Sequence, residues 1–169
     1  MRHEVINWGV LFAPEVRDRW EGRVFFGAGP ATVAKFTAGD APVYLASPYT
    51  KIAQRGGKWA YDLSLAASAQ AAREMGRLAR CGVSAISPIV QSAEIVHFER
   101  ALAAAGQMLD PLDANFWESW CRPLLNVSCA VVVPDIDGWA QSDGVFREVM
   151  WTLQETQRPV FFYAEARHG

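Results

Sequence analysis

The sequence predicts an α/β protein in which a parallel sheet carries helices on both faces. Three observations lead there. Short β-rich or apolar runs recur at residues 43–47, 83–86, 129–133 and 159–163. Segments of helical pattern, roughly 10–20 residues long, separate them, which is the rhythm of parallel strands joined by crossover helices. The first run, Val-Tyr-Leu-Ala-Ser, is stopped by Pro48 and suits a strand buried on both faces.

Residues 1–40 stand outside this rhythm. Residues 5–12 and 24–26 are compatible with the strands of a hairpin, and 31–36 with either helix or strand. The segment is therefore read as an N-terminal extension, a hairpin or an arm, and residues 41–169 as the α/β domain. After the strand at 43–47, residues 48–61 contain Gly56-Gly57 and the cations Lys51, Arg55 and Lys58, and read as a mobile basic loop. Asp62 can cap a helix rich in Ala, Leu and Met that runs to about Cys81, with Gly82 as its stop. Residues 83–86 form the second strand, closed by Ser87-Pro88, and 93–105 are helix-compatible, ended by Gly106. Asp113 or Asn115 opens another helix through about Leu125. Residues 129–133 are the third strand, the last long helix runs from Ser142 to about Thr156, and 159–163 are the final strand.

Composition narrows the partners. The chain has 169 residues, 51% hydrophobic and 20% charged, enough for one domain with a sizeable core. A net charge of −2 offers no broad basic surface, so no nucleic-acid partner is expected. No apolar run reaches the length of a membrane span, and the opening Met-Arg-His-Glu lacks the apolar core of a signal peptide. The expectation is a cytoplasmic protein without a membrane partner. Cys81, Cys121 and Cys129 are odd in number and lack metal-ligand spacing, so they read as reduced thiols.

The richest segment is residues 135–148, Asp-Ile-Asp-Gly-Trp-Ala-Gln-Ser-Asp-Gly-Val-Phe-Arg-Glu. It joins the end of the third strand to the start of a helix, the place where open α/β sheets bind ligands. Ser142 can cap that helix, leaving first-turn N–H groups to face an anion. Glu148 follows within about two turns. Gly144 lets the backbone approach a ligand or is merely tolerated there, and Gly138 reads as a turn residue.

Three pieces, Val43-Tyr-Leu-Ala-Ser-Pro-Tyr49, Ser87-Pro-Ile89 and Trp139-Ala-Gln-Ser-Asp-Gly-Val-Phe-Arg-Glu148, occur in an order that resembles the nucleoside 2-deoxyribosyltransferase-like superfamily. The likeness is to a small branch of it and covers about residues 42–163. It implies a flavodoxin-like sheet. It also implies that Glu148 is a nucleophile attacking the anomeric carbon of a 2-deoxyribosyl group and displacing the base. Six residues earlier, relatives acting on free nucleosides carry Asp, whereas relatives hydrolysing nucleoside 5′-monophosphates carry a phosphate-holding Ser. Here the residue is Ser142, so a phosphorylated substrate is implied. Tyr44 matches the family's first-strand Tyr, close to the nucleophile. The resemblance further implies a small-molecule nucleotide or nucleoside as partner, a homodimer, and no metal or organic cofactor. Two positions depart from the pattern: Cys121 and Cys129 stand where the family often has acids. The loop after the first strand is also larger and more basic.

A carboxylate suits this chemistry because the transition state has oxocarbenium character. The candidate catalytic residues are Glu148, Tyr44 and Asp137, the last as an acid assisting base departure, a role open to Asp135 as well. The candidate substrate-binding residues are Ser47, Pro48, Tyr49, Ser87, Ser142, Gly144 and Trp139. Each has a plainer reading. Tyr44 suits core packing, Asp135 and Asp137 suit a turn, and Ser142 suits a cap alone. Phe116, Trp117 and Trp120 fit an aromatic wall for a base or, at helical spacing, core. His97 is a lone histidine, and Cys121 has no nearby His to activate it. The expected activity is cleavage of an N-glycosidic bond, with a nucleotide-binding sensor or interaction module as the alternative.

Overall fold

A computed structural model describes residues 5–13, 18–37, 39, 41–102 and 108–165. Its centre is a five-stranded parallel sheet built from β1 (Val24–Phe25), β2 (Val43–Leu45), β5 (Ala85–Ile86), β6 (Ala130–Val133) and β7 (Val160–Phe162), in the order β1-β7-β6-β2-β5. Around it stand α1 (Gly9–Phe12), α2 (Pro30–Phe36), α3 (Tyr61–Arg80), α4 (Pro88–Leu102), α5 (Ala114–Val127) and α6 (Asp143–Glu155). The chain adds β5 on one side of β2 and β6 on the other, with Tyr44 level with both Ile86 and Val131. This reversal is the switch point of a doubly wound, flavodoxin-like α/β fold.

The pleat explains why these strands are apolar throughout. Tyr44, Val131, Val133, Val160 and Phe162 face one way and pack on Leu125 of α5 and on Val145, Val149 and Leu153 of α6. Val43, Leu45, Ala130, Val132 and Phe161 face the other way, against Val33 of α2 and Ala71 and Leu78 of α3. The same alternation aims Tyr44 at the α5–α6 side, where the site lies.

The helix stops behave as their residues dictate. Gly82 takes a left-handed φ of +77°, and the Gly82 and Val83 N–H groups close back on Ala79 and Leu78. The Asp113 carboxylate accepts from the Asn115 and Phe116 N–H groups, so Asp113, not Asn115, caps α5. Helix α4 begins at Pro88, earlier than the periodicity suggests, because Ser87 accepts from the Val90 N–H and Pro88 suits a first turn. The expected stop at Gly106 lies outside the described residues.

Three expectations change. Residues 24–25 do not form a hairpin with 5–12: β1 runs parallel to β7, with Val24 level with Val160, and residues 9–12 are helical. A two-residue strand carries no readable period. Residues 48–61 are not a plain loop, since β3 (Gln54–Arg55) and β4 (Lys58–Trp59) pair antiparallel across Gly56-Gly57. Both glycines adopt positive φ, +59° and +76°, the conformation a tight two-residue hairpin turn requires. Asp62 is not the cap of α3. That position is Ala60, and the Asp62 carboxylate instead accepts from Arg55 of the hairpin at 2.8 Å. Among the described residues, no helix is long and apolar enough to cross a membrane.

Candidate active site

A cleft of about 150 Å³ opens at the carboxyl end of β2, walled by α5 and by the first turns of α6. Its centre is a contact between two residues 104 positions apart. The Tyr44 hydroxyl on β2 donates to Glu148 Oε1 on α6. Tyr44 has no solvent-exposed surface, whereas Glu148 is only half-buried, because part of it forms the cleft wall. Burial is the main force on the Glu148 carboxyl and pushes its pKa up to about 7. The Tyr44 hydrogen bond and the Arg122 charge oppose that rise, Glu118 adds to it, and Arg147 opposes it. Burial, and then the Glu148 charge, hold the Tyr44 hydroxyl well above its ordinary range, so it remains a donor. The Cys121 thiol, at the same spot, is pushed up to about 12 by burial and then by Glu148, and is neutral. Removing the donor should therefore move the neighbour. In Tyr44→Phe the Glu148 titration, followed by carboxyl carbon NMR, is expected above about 7, and an unchanged midpoint would show that the hydroxyl does not govern the carboxylate.

One end of the cleft is formed by the N-terminus of α6. Ser142 Oγ accepts from the Val145 N–H at 3.4 Å and caps α6, whose first residues line the cavity. Lys51 Nζ donates to the Gln141 carbonyl at 2.6 Å and lies 2.9 Å from Asp143 Oδ2, so a cation stands at the mouth of that helix. Ser47 Oγ is buried beside the cleft with no hydrogen-bond partner among the described residues. A side chain at Gly144 would meet only Ser142 Oγ, at 3.9 Å, so packing does not demand glycine there.

Tyr49 also lines the cleft. Its hydroxyl accepts from Trp59 Nε1 at 2.9 Å and is hydrogen-bonded to Ser64 Oγ at 2.7 Å, which in turn lies 2.8 Å from His97 Nε2. His97 is thus a member of a buried network that fixes the β3–β4 hairpin against α3 and α4.

The structure brings together Glu148, Tyr44, Ser47, Tyr49, Ser142 and Gly144 in one cavity wall. It leaves four other candidates outside. Asp137 is exposed in the turn after β6, where buried Ile136 takes the inward position and turns Asp135 and Asp137 outward. Trp139 is partly buried and packs at a tilt against Trp8 and Phe162, with ring centroids 5.2 and 5.5 Å away. Ser87 is consumed as the cap of α4, and Pro48 is buried and does not line the cavity. Cys121 faces the cleft. Cys129 does not, its thiol donating to the Ala41 carbonyl at the far end of the strand.

Sequence reasoning missed Glu118, Arg122 and Arg147. Arg122 lies 3.3 Å from Glu118 Oε1, and Arg147 Nε lies 3.4 Å from Glu118 Oε2, without the alignment of a hydrogen bond. The signal was the helical step of α5: Ala114, Trp117, Glu118, Cys121, Arg122 and Leu125 share one face, and all line the cavity.

Fold and cavity together define a doubly wound α/β protein with a cleft at its strand switch point. Residues 41–165 match a family described as "Domain of unknown function (DUF1937)", and the chain belongs to that family. No curated protein and no solved structure matches it.

Proposed function

We propose that the cleft cleaves the N-glycosidic bond of a nucleoside 5′-monophosphate, or of a nucleoside, with Glu148 as the nucleophile. The observation that carries this reading is a reachable, partly buried carboxylate, held by the Tyr44 hydroxyl, beside a capped helix N-terminus and a lysine. A Glu148 oxygen bonds to the anomeric carbon as the bond to the base breaks. Water then adds to the same carbon and releases the carboxylate. Tyr44 orients Glu148 and favours its ionised form. The 5′-phosphate sits at the α6 N-terminus, with Ser142, Ser47 and Lys51 as its side-chain donors. Ser142 also argues for hydrolysis over transfer, following the resemblance. A cytoplasmic homodimer is part of the same proposal.

The test is incubation with a panel of nucleoside monophosphates and nucleosides at pH 8, with chromatographic detection of free base. No base from any member would refute cleavage. The phosphate assignment has its own signature: Ser142→Ala and Lys51→Ala are expected to weaken nucleotide binding about tenfold and nucleoside binding much less. The helix cap itself contributes about 1 kcal/mol, so melting temperature should be followed in parallel. Equal losses for both ligands would reduce Ser142 to a cap.

A second reading, a nucleotide sensor without turnover, draws on Cys121. A neutral thiol stands beside Glu148, while Glu118 and Asp143 are both engaged in ion pairs. Tight nucleotide binding by calorimetry with no base release would favour the sensor.

A further inference from the structure

We infer that the Glu118–Arg122–Arg147 cluster receives the base, and that the preferred substrates carry an oxo base of the uracil, thymine or hypoxanthine type, which departs as an anion held by the guanidinium groups. The inference rests on the glycosidic reading above. Its observations are separate from those for Glu148.

The two arginines reach the cleft from different helices and converge on one carboxylate. Arg122 and Glu118 are one turn apart on α5, and Arg147 comes across from α6, immediately before Glu148. Their side chains are 31%, 40% and 38% exposed, so each offers surface to the cavity. Arg122 Cζ lies over the Trp151 ring, 4.5 Å from its centroid, a cation–π contact that restrains the guanidinium. Arg147 reaches Glu118 through Nε at 3.4 Å, and that buried Nε has no hydrogen-bond partner among the described residues. Arg122 Nη1 is likewise unpartnered. Within the cluster donors therefore outnumber acceptors, with two guanidinium groups against the Glu118 carboxylate.

That balance selects a leaving group. Among the described residues beside Glu148, the Tyr44 hydroxyl is held well above its ordinary range, the Cys121 thiol holds its proton to about 12, and guanidinium groups do not release theirs, so none is suited to protonate a departing base. As the C1′–N bond breaks, its electron pair passes into the base ring and onto a carbonyl oxygen. Guanidinium N–H groups stabilise charge that develops there. Water later forms the new C1′–O bond as Glu148 leaves, and its proton passes to the base anion, so atoms and charge balance. An amino base such as cytosine or adenine leaves more readily after protonation, which makes it a cation, and two guanidinium groups oppose a cation. The cluster thus favours the oxo member of each otherwise similar pair.

The test compares deoxyuridine with deoxycytidine 5′-monophosphate, and deoxyinosine with deoxyadenosine 5′-monophosphate, on the full chain and on Arg147→Met. The oxo member of each pair is expected to release base at least about tenfold faster, and Arg147→Met to collapse that ratio by slowing the oxo member. Free uracil and free cytosine, titrated by calorimetry, read the inference without turnover: uracil should bind more tightly, and Arg147→Met should remove the difference. An amino-base preference, or a ratio unchanged in a folded Arg147→Met protein, overturns the inference while leaving glycosidic cleavage standing. So does a variant that loses inorganic phosphate binding in place of base binding, because the arginines would then hold the phosphate. Absence of base release from every nucleotide would instead remove the reading beneath it, and the free-base titration would still decide the cluster's role.

Discussion

Glu148→Gln is expected to lower base release by at least about 1,000-fold while leaving the fold intact. The amide keeps the size and one acceptor oxygen for Tyr44, but it can neither balance an oxocarbenium ion nor form the glycosyl ester. The wild-type rate should show the titration directly. The nucleophile is the ionised form, so activity rises with pH through a midpoint of about 7 and falls roughly tenfold per unit below it. Stability should move the opposite way. Folding raises the Glu148 pKa above its unfolded value, so the neutral form is the one the fold favours. Its contribution is fully present below about 4.5 and is lost as pH climbs through about 7. Glu148→Gln removes that loss, and its melting temperature should exceed wild type by several degrees at pH 8 and by little at pH 4. Near-normal turnover in the variant would end the nucleophile assignment. Equal melting temperatures at pH 8 would instead mean that the carboxylate is better solvated than its surroundings suggest.

The same residues show what a sequence makes visible. Strands β2, β6 and β7 are legible because every residue in them is buried, leaving continuous apolar runs without alternation. The α6 cap was legible because Ser142 lies at the boundary between a polar turn and a periodic helix, and the same boundary places Glu148 in the second turn. The partnership of Tyr44 with Glu148 was not local information. It joins residues 104 positions apart and follows only from β2 lying beside β6 at the switch point, so it entered through resemblance. Asp137 shows the opposite error: a turn residue adjacent in sequence to the site, carried outward because Ile136 takes the buried position. Arg147 was overlooked for a related reason. On a helix surface a cation beside a carboxylate reads as solvated charge, and only the approach of α5 turns it toward Glu118.

The chain reduced to residues 41–169 is expected not to fold cooperatively, although the family match begins at residue 41. The segment before it is structural. Leu11, Trp20 and Val33 are buried, and burying three such side chains stabilises by roughly 5–9 kcal/mol, comparable with the whole stability of a typical domain. Phe25 stacks on Phe161 with ring centroids 5.0 Å apart, Phe26 stacks on Phe162 at the same separation, and Trp8 packs edge-on against Phe146 and Phe162. Strand β1 covers the edge of β7, so its loss would expose an apolar strand able to pair with other chains. The segment also bears on the site: the Trp8 indole donates to the Ala140 carbonyl at 2.8 Å, two residues before the Ser142 cap. Circular dichroism melts should therefore give a sharp transition for the full chain and a broad or absent one for residues 41–169, with dye binding to exposed apolar surface. A cooperative melt within a few degrees of the full chain would show that the α/β domain is complete without β1. In that case the N-terminal residues would be an addition to the sheet, and the Trp8 contact to the turn before α6 would be the remaining link between them and the cleft.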